Sequence, residues 1–418
     1  MRTPSPRTRG VGLCLMVAGV IALSFSTTAA QADTVTDWNT HAVNALVTTA
    51  GQSPTVSTVN LAMVHGAVYD AVGSIDSRYE PYLVRVRARD WYSQDAAAAT
   101  AAYRVLVALV PGQQSTLAPL YDASLAAIPA GEAKQGGIMA GEIAAAAMLT
   151  ARTGDGRGGA YRFPVPAAPQ PGQWRPVLPA FVNDPGAWVK DVRPFLIRDA
   201  ARYGTDGPLA LTGRGYARDY KEIKAIGSLN STTRTADQTE QARFWAEGPL
   251  PWTRAARQLA ADRGLRKSES ARMYAMLYMT AADAAIATWT DKARWLFWRP
   301  ITAIREGEAD GNPDTAADTA WLPLINTPPY PDHPSGLSSL SAAMAVSLEE
   351  VFGRRVRFSA SSVSSNTTRS YRSFSDAVDE VVDARVYSGI HFRYADEVGA
   401  ELGRDVARDG LQREFGRN

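Results

Sequence analysis

Apolar residues recur at three- and four-residue steps through long stretches of this chain. Between Val56 and Ile75 the positions Val59, Leu61, Ala62, Val64, Ala67, Val68 and Ala71 keep that spacing, which predicts an amphipathic helix. Asp95–Val110, Gly131–Ala151, Thr235–Ala246, Ser268–Asp291 and Leu337–Phe352 read the same way. Alternation of β-branched residues is rare, and Arg355–Ser359 is the one short strand the pattern predicts. From Thr153 to Pro194 the helical period gives way to Gly154, Gly156, Gly158, Gly159 and then six prolines between Pro164 and Pro179. That composition predicts a long loop joining two helical halves, residues 33–195 and 196–418. No short repeat is present, which argues against solenoids and propellers. The expected fold is all-α, two packed helical bundles with little or no β structure.

Composition narrows the class. The chain has 418 residues, 45% hydrophobic and 21% charged, too apolar for a disordered protein. Its 44 basic and 42 acidic residues give +2, far from the electrostatic footprint of a nucleic-acid binder. At the start, Arg2, Arg7 and Arg9 precede an apolar run from Val11 to Phe25, and Ala30-Gln31-Ala32 follows as a small-x-small site. The pattern reads as a secretory signal over residues 1–32, too short for a good membrane span. Its removal takes three arginines, so the remaining charge is +2 − 3 = −1. The one cysteine, Cys14, leaves with it. A chain without thiols makes no disulfide, Cys nucleophile, zinc–thiolate or iron–sulfur site. The rest contains no apolar run of about 18 residues, the minimum for a transmembrane helix. The expected product is an exported, soluble protein.

Several motifs fail on inspection. Asp310-Gly311-Asn312-Pro313-Asp314 begins like a calcium loop, but Thr315 stands where such loops need Gly and Trp321 where they need Glu. Gly154–Gly159 follows a helix rather than a strand, so it is a poor dinucleotide loop. No G-x-S-x-G elbow exists. His41 and His65 stand alone on amphipathic helices and read as structural.

Three segments of the second half point together at an oxyanion. In the first, Trp289 to Pro300, Lys292 and Arg299 are separated by two helical turns, so both are expected on one aromatic-lined helix face. In the second, Tyr330-Pro331-Asp332-His333-Pro334-Ser335-Gly336 precedes a predicted helix. Ser335 and Gly336 are thus placed where free N–H groups and the positive helix end attract anions. The third holds Arg385 and His391. Six residues turn a helix by about 600°, so these two share a face only if Ser388-Gly389 breaks it. Each segment alone has an ordinary structural reading. Jointly, cations neutralise charge, Ser and Gly donate hydrogen bonds, and an imidazole nitrogen attaches to the central atom of a tetrahedral or bipyramidal oxyanion.

The order K-x6-R-P, P-S-G-H, then R-x5-H resembles the signature shared by vanadium-dependent haloperoxidases and type-2 phosphatidic acid phosphatases. Here it reads Lys292…Arg299-Pro300, Pro334-Ser335-Gly336 and Arg385…His391. The resemblance implies a helical-bundle fold with vanadate as cofactor. It makes His391 the apical vanadium ligand and gives Lys292, Arg299, Ser335, Gly336 and Arg385 the remaining oxygens. It also implies hydrogen peroxide, a halide and an organic acceptor as partners; separately from the resemblance, bromide is expected to be used more readily than chloride. In the phosphatase version, His391 is instead the nucleophile attacking phosphorus.

Two departures qualify that expectation. The family's P-S-G-H histidine is Leu337, which cannot transfer a proton; a positioned acid–base group typically contributes about 10²–10⁴-fold in rate. His333 is the nearest substitute and is taken as a catalytic candidate. Ala395 stands where the family often has an acid, with Asp396 one step later. Three functions follow: a secreted haloperoxidase, an exported acid phosphatase, and a scaffold that binds an oxyanion or catalyses a cofactor-free reaction.

Overall fold

Two helices that are buried on nearly every side organise the molecule, and the rest wraps around them. A computed structural model describes residues 1–5 and 33–418; the predicted signal segment lies largely outside the described residues. Ala32–Asn418 forms one compact unit. In chain order the helices are α1 (Thr34–Val43), α2 (Pro54–Asp76), α3 (Gln94–Leu109), α4 (Gln114–Ala126) and α5 (Glu132–Ala151). There follow α6 (Arg214–Ile226), α7 (Ala236–Phe244), α8 (Leu250–Asp262), α9 (Lys267–Trp295), α10 (Pro300–Arg305) and α11 (Gly336–Phe352). The last two are α12 (Phe374–Tyr387) and α13 (Arg393–Leu411). The sole sheet among the described residues is an antiparallel pair, β1 (Phe358–Ser362) and β2 (Thr367–Tyr371), with Phe358 opposite Tyr371.

The fold is all-α, as the periodicity predicts. Helices α2, α3 and α5 pack mutually into one bundle, and α9, α11, α12 and α13 into another. Helix α9 belongs to both, packing on α2 as well as on α11 and α13. Its 29 residues reach about 43 Å at 1.5 Å per residue, long enough to serve both bundles. No described helix is long and apolar enough to cross a membrane.

The Gly/Pro-rich stretch 153–194 contains only the short 3₁₀ turn Ala187–Asp191, but it is held tightly. Asp283, buried on α9, accepts the backbone N–H groups of Phe195 (2.6 Å), Leu196 (2.7 Å) and Ile197 (2.9 Å). Asp70 on α2 grips Tyr82, Leu83 and Val84 in the same manner at 2.7, 2.8 and 3.0 Å. Burial raises both carboxyls to about 6 while the donated hydrogen bonds pull the other way. The failed calcium loop closes on itself: Asp310 Oδ1 accepts from Asn312 N–H and the Thr315 hydroxyl.

His65 is a core residue. Its ring stacks on Tyr278 at 5.0 Å, and Nε2 lies 2.9 Å from Asn39 Nδ2. Asn39 is oriented by Arg257, whose Nε donates to its oxygen at 2.6 Å.

Two stability predictions follow from these contacts. Asp283→Ala strands three buried N–H donors, each worth about 1–3 kcal/mol, so urea unfolding should show a loss of at least about 3 kcal/mol. Burial first, and Arg257 second, pull His65 down to about 3, so the folded protein keeps this ring neutral while an unfolded chain protonates it near the ordinary value of 6.5. Its contribution is therefore full above that value and fades as pH falls towards 3. In acid unfolding series, His65→Gln should flatten the decline across that window.

Candidate active site

The site forms where three chain reversals meet. Helix α9 stops at Trp295 because Leu296 adopts a left-handed conformation, φ 47°, and returns its N–H to Lys292 O at 3.0 Å. The segment 172–174 then clamps the reversal: Trp174 N–H bonds Leu296 O at 2.7 Å and Trp298 N–H bonds Gly172 O at 2.9 Å. Arg299 caps α10, whose first residue is Pro300. This corrects the expectation that Lys292 and Arg299 share one helix face. They lie on two helices, because a proline favours a helix start and opposes continuation.

The second reversal ends α12 at Tyr387. Gly389 has φ +77°, and a Cβ there would meet Gly227 O at 2.3 Å, so only glycine fits. The break expected at Ser388-Gly389 is present and delivers His391 just ahead of α13. The third brings in α11, with Ser335 as N-cap. Ser335 N–H bonds Ala395 O at 2.8 Å. Gly399 and Gly403 of α13 lie so close to α11 that a Cβ would meet Ser335 O at 2.4 Å or Ser339 O at 2.0 Å. Small residues at four-residue spacing thus seat the α11 start against α13.

Lys292, Arg299, Ser335, Gly336, Arg385 and His391 are all buried. Lys292 Nζ donates to the carbonyls of Pro331 (2.6 Å) and Asp332 (2.9 Å) and lies 5.1 Å from the Tyr330 ring centre. Arg299 donates to Tyr330 O from Nε (2.7 Å) and to Ile390 O from Nη1 (2.6 Å). Its Nη1 is also 3.0 Å from His391 Nε2 and 3.3 Å from Nδ1. Gly336 lies against Trp289, whose ring a Cβ would meet at 2.8 Å.

Electrostatics bind the set together. Burial pulls Lys292 well below the ordinary lysine range and Arg299 pulls further, against Asp332 and Asp396. His391 is held neutral by burial, then by Arg299, Lys292 and Arg385. Burial lowers Arg299 and Arg385 as well. Asp332, 2.9 Å from His391 Nδ1 through Oδ1, is pushed up to about 7 by burial, with Arg299 and Lys292 opposing. That contact is close without being well aligned. Asp396 is raised well above the carboxylate range by burial, with hydrogen bonds from Ser335 and Ser338 opposing.

The remaining candidates behave differently. His333 turns Nε2 to the Thr205 hydroxyl (2.9 Å), and that hydroxyl donates to Asp291 Oδ2 at 2.5 Å. Nε2 therefore carries the proton, and Nδ1 is buried without a partner. The ring stacks on Tyr394 at 5.9 Å, and burial followed by Lys292 pulls it down to about 3. Leu337 joins the apolar core. Asp396 accepts from Ser338 Oγ at 3.0 Å, so the acid at His391 is Asp332. Sequence reasoning passed over Asp332 and Tyr330 because only the fold shows them buried among the cations.

The donor set suits an oxyanion on an observation independent of motif. Arg299 Nη2 and Arg385 Nε are buried without hydrogen-bond partners, an arrangement proteins avoid unless a ligand answers the donors. Two arginines, an ammonium, a helix start and a neutral imidazole are the groups that vanadate or phosphate needs.

Comparisons with known proteins bear on the family and the fold. Residues 272–415 match the family description of the VCPO second helical-bundle domain. Vanadium chloroperoxidase of Curvularia inaequalis is 30% identical over 31% of this chain, a match spanning 25% of that protein's length. The fold is similar to a bacterial vanadium-dependent iodoperoxidase, with TM-score 0.78 and 24% identity over 92% of this chain and 97% of that one. It is also similar to a holo-type bacterial vanadium-dependent chloroperoxidase, with TM-score 0.68 and 18% identity over 86% of this chain and 92% of that one. Domain match, partial sequence match and fold thus converge on the haloperoxidase superfamily, the domain match resting on residues 272–415.

Proposed function

We propose that this protein is a vanadium-dependent haloperoxidase, oxidising halide with hydrogen peroxide and passing the oxidised halogen to an organic acceptor. The observation that carries this reading is the pair of partnerless guanidinium nitrogens beside a neutral His391. His391 would supply the nitrogen that binds vanadium. Lys292, Arg299, Arg385, Ser335 and Gly336 would hold the oxygens. Bound vanadate would supply activation of peroxide for the two-electron oxidation of halide. The chain's cations withdraw electron density and keep the anion in place. Trp289 and Tyr330 border the cluster and help exclude water.

Leu337 shapes the halide assignment. With no proton donor at that position the oxidising power is reduced, and bromide is easier to oxidise than chloride. His333 is the remaining imidazole near the cluster, and its unpartnered Nδ1 is the atom available to exchange a proton. The same receptor would accept a phosphoryl group, with His391 as nucleophile, and Leu337 equally deprives that reaction of its usual acid. We also propose export after residue 32. Helix α1 starts just after that point, with the Asp33 carboxylate accepting from Val35 N–H at 3.2 Å.

Protein loaded with orthovanadate, then given peroxide and bromide, should brominate a cyclic diketone well above the rate of free vanadate. His391→Ala should lose vanadium on dialysis. A rate no better than free vanadate defeats the peroxidase reading. Vanadate-inhibited hydrolysis of nitrophenyl phosphate would put the phosphatase in its place, and retained vanadium with neither activity would leave an oxyanion-binding scaffold. Restoring the motif by Leu337→His should raise the bromination rate about 10²-fold or more; no change would mean that His333 or water already moves the proton.

A further inference from the structure

Asp332 makes contact with three members of the oxyanion site from one position in the loop before α11. Its N–H bonds Phe297 O at 2.9 Å, tying the loop to the α9–α10 reversal. Its carbonyl accepts from Lys292 Nζ at 2.9 Å. Its carboxylate Oδ1 lies 2.9 Å from His391 Nδ1 and 3.9 Å from Arg299 Nη1. The other acids near the cluster are spoken for: Asp396 accepts from Ser338, and Asp184 accepts from Trp289 Nε1 at 2.9 Å.

We propose that Asp332 is a positioning residue that holds the proton of His391 on Nδ1 and so keeps the Nε2 lone pair directed at the bound oxyanion. The assignment rests on the oxyanion reading above and goes beyond the motif residues. A free histidine side chain in its neutral form prefers the proton on Nε2, which would block the nitrogen that has to bind. A carboxylate at Nδ1 reverses the preference, since the ring nitrogen with an acceptor beside it keeps the hydrogen. Nε2 then accepts from Arg299 Nη1, 3.0 Å away, on the side where the cations gather. The peptide carbonyl of Asp332 also faces His391; it accepts from Lys292 but keeps a second lone pair, so it is the competing acceptor. The carboxylate, 2.9 Å from Nδ1, is the one the proposal selects.

The experiment compares wild type with Asp332→Leu and Asp332→Asn. Leu removes the acceptor but also strips a charged partner from buried Arg299, which is destabilising. A melting curve therefore first checks that the variant is folded, and Asp332→Asn, which keeps size and polarity, carries the same readouts if it is not. The first readout is the tautomer of His391, by ¹⁵N-histidine NMR without any anion. Only four histidines are present, and His391→Gln identifies the signal by subtraction. The second is affinity for inorganic phosphate and orthovanadate by calorimetry. Asp332→Leu should move the proton to Nε2 and weaken both anions about 10–100-fold, and Asp332→Asn, which still offers an oxygen to Nδ1, should recover part of the loss. Removing a negative charge would by Coulomb attraction alone tighten anion binding, so unchanged or stronger binding in Asp332→Leu overturns the proposal. An unchanged tautomer overturns it too and transfers the role to the peptide carbonyl. A wild type that binds vanadate yet brominates nothing defeats the haloperoxidase reading while leaving this inference standing.

Discussion

Uncompensated positive charge in a dry interior is the constraint on which this structure turns. Lys292, Arg299 and Arg385 are all buried within electrostatic reach of His391, and taking a cation out of water costs several kcal/mol unless other groups answer it. Carbonyls answer part of it: Pro331 and Asp332 for Lys292, Tyr330 and Ile390 for Arg299. The faces of Tyr330 and Trp289 add a little. The two nearby acids supply less than their number suggests, because burial drives Asp332 and Asp396 towards their neutral forms. The cluster keeps two idle guanidinium donors, which the proposed anionic guest would answer.

Holding such a cluster demands rigid backbone, and the fold supplies it at the reversals rather than in the helices. Gly399 and Gly403 let α13 touch the start of α11. Gly389 lets the α12–α13 turn lie against Gly227. The stretch 172–174 pins the end of α9, and Asp283 on that helix grips residues 195–197. The Gly/Pro-rich region is therefore more than a connector: it clamps the turn that sets Arg299.

What the sequence revealed depended on the range of the interaction responsible. The long helices are local in origin. Pro54–Asp76 and Lys267–Trp295 lie within one or two residues of the expected ends except at Trp295, where α9 runs about a turn beyond the apolar pattern until the left-handed Leu296 stops it. The charged helices α6 and α13 were not marked as elements, because their polar faces dilute the apolar period, and the pairing of β1 with β2 is a tertiary choice. The cations, Ser335, Gly336 and His391 were legible as an ordered motif. Their convergence was not, because it runs through a left-handed leucine and a proline-led helix that helical spacing alone misplaced. Asp332 looked like a turn residue, and only its neighbours in space give it chemistry.

Leu337 decides which part of the site is intact. The oxyanion-holding function depends on cations, a helix start and an imidazole, all of which the chain retains. Proton transfer depends on one side chain at the start of α11, and there the chain has placed an alkyl group in the core. His333, the nearby ring, is turned by Thr205 and Asp291 and stacked on Tyr394, so its orientation is set by partners outside the cluster. Under the proposed function, binding and chemistry are separable: the same cations would secure an anion whether or not a proton follows. The cation cluster is the firmer constraint on the fold, since losing a buried cation's partners unsettles the core, whereas a leucine at position 337 leaves the packing satisfied.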